Sequence, residues 1–271
     1  MEGPDMKPIV DVKGLTVRFG ALQRPAVNAI DFTIGREKLG VVGESGSGKS
    51  TTGRALMRLL PRYARITADT LLYDGRSLSN MPERRMTELR GREMALIMQD
   101  PRYSLNPVLR VGTQVAESAR LHLGVNRAQA RERAAAMLER VRIRNVGEVM
   151  DLYPHQLSGG MGQRVMIAMM LLPKPRLVIA DEPTSALDVS VRQDVLTVLQ
   201  DLVAEDGSSL LLISHDIRMV ARFCDRMLVM HKGEIVETLS DLDEARHSYT
   251  RQLIEAIPDP RHPVRRLRER V

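Results

Sequence analysis

Short apolar runs that end in polar turns alternate along this chain with longer stretches carrying an apolar residue every third or fourth position. Residues 9–19 alternate loosely between apolar and polar side chains, and 29–34 do so again, which predicts two strands. Residues 39–42 form a continuous apolar run closed by a glycine-rich turn. A helical pattern follows over 49–60 and stops before Pro61, because the position before a proline disfavours the α conformation. Residues 70–73 with Asp74-Gly75 read as a strand and turn, 82–90 as a short polar helix, and 94–98 as a buried strand. From 111 to 141 the pattern is helical and rich in Ala, Arg and Glu, with a break at Gly124-Val125-Asn126. This block has little strand character and reads as a helical subdomain inserted between two halves of a core. A mostly apolar helix follows Gly159 to about Leu172, then a strand over 177–180, an amphipathic helix over 190–204, and a strand over 210–213. Uninterrupted apolar strands suit a parallel sheet covered on both faces, so the alternation predicts an α/β domain. No internal repeat is evident, and the arginine-dense tail over 257–271 is expected to be solvated.

Composition narrows the picture only a little. A hydrophobic fraction of 43% in 271 residues supplies a sizeable core, for one large domain or two small ones. The N-terminal residues 1–14 carry acids and prolines where a secretory signal needs a basic start and an apolar run. The apolar runs are far shorter than a membrane-spanning helix requires. The expectation is a soluble chain that works at a membrane only by docking onto another protein. Cys224 is the single cysteine, so no internal disulfide can form, which fits a reducing cytosol. The net charge of +6 fits nucleic acid, an anionic membrane surface, or simply a solvated basic surface. With no tryptophan and 3% aromatics, the stacking platforms of single-strand binders are scarce.

The chemistry starts at Gly43-Glu44-Ser45-Gly46-Ser47-Gly48-Lys49-Ser50, a full match to G-x-x-x-x-G-K-[ST], placed after an apolar run and opening a helix. A helix start leaves backbone N–H groups unpaired with partial positive charge, and glycines let the loop close around phosphate oxygens. Lys49 is expected to neutralise the β- and γ-phosphates, Ser50 to hold Mg²⁺, and Thr51 to bond a phosphate oxygen. The apolar run 177–180 ends in Asp181-Glu182. In parallel sheets ligands gather at the carboxyl ends of strands. Asp181 is therefore placed for the magnesium shell and Glu182 for polarising the attacking water. His215 follows the run 210–213 in the same way and is a plausible sensor of the γ-phosphate. A second anion site is expected at Leu157-Ser158-Gly159-Gly160-Met161, just before a helix. Two such helix starts, far apart in sequence, invite a dimer in which each protomer offers its second site to the other's nucleotide.

With these motifs together, residues 8–256 resemble the ABC transporter ATPases, whose signature usually reads LSGGQ; here Met161 replaces the glutamine. The resemblance implies a P-loop NTPase core with a mainly parallel sheet, an N-terminal antiparallel β subdomain and an α-helical subdomain inserted over about 102–172. It implies ATP and Mg²⁺ as cofactors. Gln99 matches the Q-loop glutamine, which contacts Mg²⁺ and the water, and Asp188 the D-loop at the dimer interface. His215 matches the switch histidine. Ser158, Gly159 and Gly160 would reach the partner's ATP. Phe19 stands where the family places an adenine-stacking aromatic, though an edge-strand phenylalanine would read the same.

Several phrases resemble the dipeptide, oligopeptide and nickel importer group: Gln99-Asp100-Pro101, Ser104-Leu105-Asn106-Pro107, Tyr153-Pro154-His155-Gln156, and His247-Ser248-Tyr249-Thr250. That likeness implies a second, homologous ATPase subunit, more readily a heterodimer than a homodimer. It also implies two membrane permease subunits, a solute-binding protein, and a place on the cytoplasmic face of a bacterial inner membrane. The chain ends at Val271 without the cysteine-rich extension of the larger peptide-specific members, a length closer to the nickel-type ones. An ABC ATPase acting on nucleic acid or ribosomes is the alternative, supported by the basic charge alone, and an exporter is a third possibility. Met166, Met169 and Met170, at helical spacing in an apolar stretch, read as core packing.

Overall fold

The computed structural model describes residues 7–20 and 24–256; the arginine-dense stretch 257–271 lies outside the described residues. The chain opens with β1 (Val10–Phe19), β2 (Val27–Ile34), β3 (Lys38–Val42) and α1 (Lys49–Leu56). It continues through β4 (Ala64–Thr67), β5 (Thr70–Tyr73), β6 (Arg76–Ser77), α2 (Glu83–Leu89) and β7 (Met94–Ile97). Four helices follow: α3 (Val111–Leu123), α4 (Arg127–Arg140), α5 (Val146–Asp151) and α6 (Gly159–Leu171). Next are β8 (Leu177–Asp181), α7 (Val189–Asp206), β9 (Ser209–Ser214) and α8 (Ile217–Phe223). The last described elements are β10 (Arg226–His231), β11 (Glu234–Leu239) and α9 (Ser248–Ala256).

Two sheets divide the strands. The N-terminal sheet runs β2-β1-β5-β6 with β4 also on β1, and every pairing in it is antiparallel. The second sheet runs β11-β10-β3-β9-β8-β7 and is parallel except for β10 with β11. Alternate residues of its central strands enter different cores. Val178, Ala180, Leu210 and Leu212 pack with α6 and α7, while Leu177, Ile179, Leu211 and Ile213 pack with α1 and the N-terminal sheet. Cover on both faces is why these strands read as unbroken apolar runs. The fold is thus an α/β cassette with an antiparallel sheet, a mainly parallel sheet and a block of helices.

That block lies between β7 and β8, where the described residues contain helices and no strand. Gly124, at φ 66°, ends α3, and Asn126 with Gln129 forms a capping box that starts α4. Met166 is fully buried and Met169 and Met170 pack against the same core. The helix expected over 49–60 stops at Leu56, since Arg58 turns left-handed at φ 50°. No described helix is long and apolar enough to cross a membrane.

Candidate functional site

The phosphate loop joins β3, at the middle of the parallel sheet, to α1. Two of its glycines are required by space and by backbone angle. Gly43 (φ 152°) presses on the Met230 carbonyl, and a Cβ there would also lie 2.9 Å from Ser47 Oγ. Gly48 (φ 105°) would place a Cβ 2.5 Å from the Ala26 carbonyl. No side chain caps α1, so its first amides open onto the loop. Lys49 is 5% exposed, and its Nζ donates to the carbonyls of Gly43 and Glu44, both at 2.8 Å. Burial pulls its pKa below the usual lysine range, against the opposing pull of Glu182, Asp181 and Glu44. Ser47 Oγ is buried without a hydrogen-bond partner. Glu44, Ser45 and Gly46 are exposed, and Thr51 is half-buried on α1.

Asp181 and Glu182 arrive from the end of β8 and His215 from the end of β9, the strand that lies between β8 and β3. Ser50 Oγ donates to Asp181 Oδ1 at 2.6 Å, and Arg54 lies 3.6 Å from Asp181 Oδ2. Burial raises the Asp181 pKa above the carboxylate range, partly offset by the Ser50 hydrogen bond and by Arg54. Glu182 takes a left-handed turn at φ 48°, a conformation that costs a non-glycine residue about 1–3 kcal/mol. Its N–H donates to the Ile213 carbonyl at 2.9 Å, and its carbonyl accepts from Ser185 N and Oγ, both at 3.2 Å. These bonds fix the turn and swing the carboxylate toward β9, where Oε2 lies 3.3 Å from His215 Nδ1. Lys49, Ser50, Asp181, Glu182 and His215 thus share the carboxyl ends of three neighbouring strands, β3, β9 and β8.

The remaining expected residues spread around this centre. Gln99 lies two residues past β7, exposed, in a cleft it lines with Arg54, Met98, Tyr103 and Ala186. Ser158 caps α6, its Oγ accepting the Met161 N–H at 3.3 Å. Gly160 lets α6 approach α7: a Cβ there would lie 2.5 Å from Val191 Cγ1. Ser158 and Gly159 line a cleft of about 550 Å³ with Asp100, Pro101, Leu157 and Leu187, and no residue of the phosphate loop lines it. Asp188 starts α7, exposed and making no capping bond. Phe19 ends β1 half-buried, its ring 6.2 Å from that of Tyr63. The structure therefore brings the Lys49 loop, the acidic pair and His215 together. It leaves Ser158 and Gly159 in a different cleft of the same chain, and Gly160 against Val191 of α7.

Sequence reasoning passed over three side chains here. Arg54 lies four positions after Ser50, the spacing that puts two helix residues on one face, and this signal was available. Tyr63, 70% exposed beside Phe19, had no motif to mark it. Tyr249, in the phrase His247-Ser248-Tyr249-Thr250, accepts the N–H of Glu44 at 2.9 Å. Only its contact in the fold reveals that.

Known proteins resemble this chain over most of its length. The family model described as ABC transporter matches residues 27–185. A putative peptide import ATP-binding protein of Brucella melitensis is 44% identical over 260 residues, covering 93% of this chain and 78% of the relative. The oligopeptide transport ATP-binding protein OppD of Salmonella typhimurium is 43% identical over 256 residues, covering 92% and 76%. The dipeptide transport ATP-binding protein DppD of Escherichia coli is 41% identical over 257 residues, covering 93% and 79%. Among solved structures, a dimeric ATP-binding cassette in a post-hydrolysis state with ADP and Pi superposes with a TM-score of 0.75 at 27% identity, covering 85% of this chain and 98% of that one. From the sheet order, the phosphate loop and these likenesses together, the chain belongs to the ABC transporter family, as one of its ATP-binding cassettes.

Proposed function

We propose that this chain is the ATP-hydrolysing motor subunit of a bacterial importer that takes up peptides, working under two membrane permease subunits and beside a second cassette. The observation that carries the reading is the shared strand-end cluster of Lys49, Ser50, Asp181, Glu182 and His215. The relatives named for peptide transport support peptides over nickel or metal chelates. The alternative, an ATPase acting on nucleic acid or ribosomes, keeps only the basic charge in its support.

In this reading ATP's phosphates enter the loop 43–51, where the uncapped amides of α1 and the buried Ser47 hydroxyl meet them. Lys49 exchanges the Gly43 and Glu44 carbonyls for phosphate oxygens, a better partner for an ammonium held in a buried site. Ser50 and Asp181 form a hard oxygen donor pair that fits Mg²⁺, with Gln99 as a third ligand. When bound, that ion neutralises charge on the β- and γ-phosphates. Glu182 orients the attacking water and takes its proton, and His215 steers the carboxylate. Phe19 stacks on the adenine. Ser158, Gly159 and Gly160 serve a neighbour's nucleotide, with Asp188 at the junction, so hydrolysis needs a closed pair of cassettes. Closure and reopening then drive the permeases between their two states. The cytoplasmic face of the inner membrane is the place such a subunit works.

Glu182→Gln tests the assignment. Removing a general base costs about 10²–10⁴-fold in turnover. The variant should lose at least about a hundredfold in ATPase rate while still binding ATP and holding the cassette pair shut. Hydrolysis at the parent rate would refute the role of Glu182.

A further inference from the structure

The phrase His247-Ser248-Tyr249-Thr250 has no part in the chemistry above, yet the fold carries it back to the phosphate loop. Tyr249 is 7% exposed, and its hydroxyl accepts the backbone N–H of Glu44 at 2.9 Å. The carbonyl of the same Glu44 accepts Lys49 Nζ at 2.8 Å. One loop residue is thus held at both of its backbone groups, by Lys49 on one side and by Tyr249 of α9 on the other.

The tyrosine is itself firmly placed. Its ring lies 3.9 Å from that of His231, centroid to centroid, with the planes tilted by 40°. His231 ends β10, and the turn after it donates the Gly233 N–H to the Ser47 carbonyl at 3.0 Å. The residue before it, Met230, presents the carbonyl against which Gly43 packs. The start of α9 is pinned to β11, since Glu237 Oε1 accepts the N–H groups of Arg246 and His247 at 2.7 and 3.1 Å. The β10–β11 turn and α9 therefore form one wall against Gly43, Glu44 and Ser47. Glu44 is exposed and its bond to the hydroxyl is half-buried, so the tyrosine gives that peptide a fixed direction.

We propose that Tyr249 is a positioning residue for ATP. By holding the Glu44 amide it sets the shape of the loop that receives the phosphates, and so makes nucleotide affinity depend on the docking of α9. The proposal rests on the reading of residues 43–51 as the ATP site. It differs from a role in which Tyr249 merely anchors α9, because an anchor changes stability without changing affinity.

The test is Tyr249→Phe in the full chain, which keeps the ring on His231 and removes only the acceptor. Calorimetric titration with ATP and Mg²⁺ should show Kd raised about fivefold, the usual worth of one neutral hydrogen bond. KM for ATP in the assembled transporter should rise in proportion while kcat stays within about twofold. Amide hydrogen exchange without nucleotide should quicken at Glu44. An unchanged Kd in Y249F, with the parent binding ATP normally, overturns the proposal and leaves the ATP site standing. A parent chain that binds no ATP sinks the ATP site itself. Should the variant fold poorly, the parent still decides: a Glu44 amide that exchanges as fast as in an unstructured peptide contradicts the contact.

Discussion

At Asp181 the needs of stability and of function oppose each other. Its carboxylate is buried with one hydroxyl donor at 2.6 Å and Arg54 at 3.6 Å, and burial is the largest influence on its pKa, raising it. A folded-state pKa above the unfolded value means that the native chain holds its proton longer. Stability from this group is therefore present below the unfolded pKa and lost as pH rises through the folded one. Asp181→Asn keeps an acceptor for Ser50 and removes the charge. Its melting temperature should exceed the parent's at pH 8, the gap should close toward pH 4, and ATPase activity should vanish. An equal melting temperature at both pH values would show that the carboxylate is not penalised by its surroundings. The acidic pair was legible because both residues end an apolar run. What the sequence could not display is the left-handed turn at Glu182, which aims the two neighbouring carboxylates at different partners, Ser50 and His215.

Among the elements, α6 carries two roles at its first turn. Ser158 caps the helix, and loss of such a cap costs about 1 kcal/mol. If the same hydroxyl also grips a neighbour's nucleotide, Ser158→Ala should lower ATPase activity far beyond that small loss of stability. ATP binding by the chain alone, measured by titration, should stay as in the parent. A matching fall in affinity for the lone chain would place Ser158 in its own site instead. The helix was readable from its serine, glycines and apolar run, as were α3, α4 and the central strands from periodicity and unbroken apolar stretches. The elements after His215 were not. α8 has seven residues and β11 is half-buried, too short or too mixed to show a period. β4, with the pattern ARIT, is half-exposed for the same reason. Helix α1 was drawn too long because Pro61 gave a stop signal, whereas the left-handed Arg58 had already ended it.

Across the whole molecule, the Lys49 loop and the Ser158 helix start lie in different parts of the fold. The Lys49 loop rests on the parallel sheet, and the Ser158 helix belongs to the block between β7 and β8. Ion pairs tie that block to α7: Arg140 with Glu205 at 2.8 Å and Asp206 at 3.3 Å, and Arg142 with Asp201 at 2.7 Å. Within one chain the Ser158 cleft is lined by Asp100, Pro101 and Leu187 rather than by the phosphate loop. In the proposed reading, a catalytic unit that uses both helix starts on one nucleotide is built from two cassettes. The most direct measurement is a structure of the assembled transporter carrying Glu182→Gln and loaded with ATP. Ser158 should lie within hydrogen-bonding reach of the terminal phosphate of a nucleotide seated on the facing cassette, and Lys49 on the nucleotide of its own. Ser158 found distant from both nucleotides in the closed assembly would contradict it.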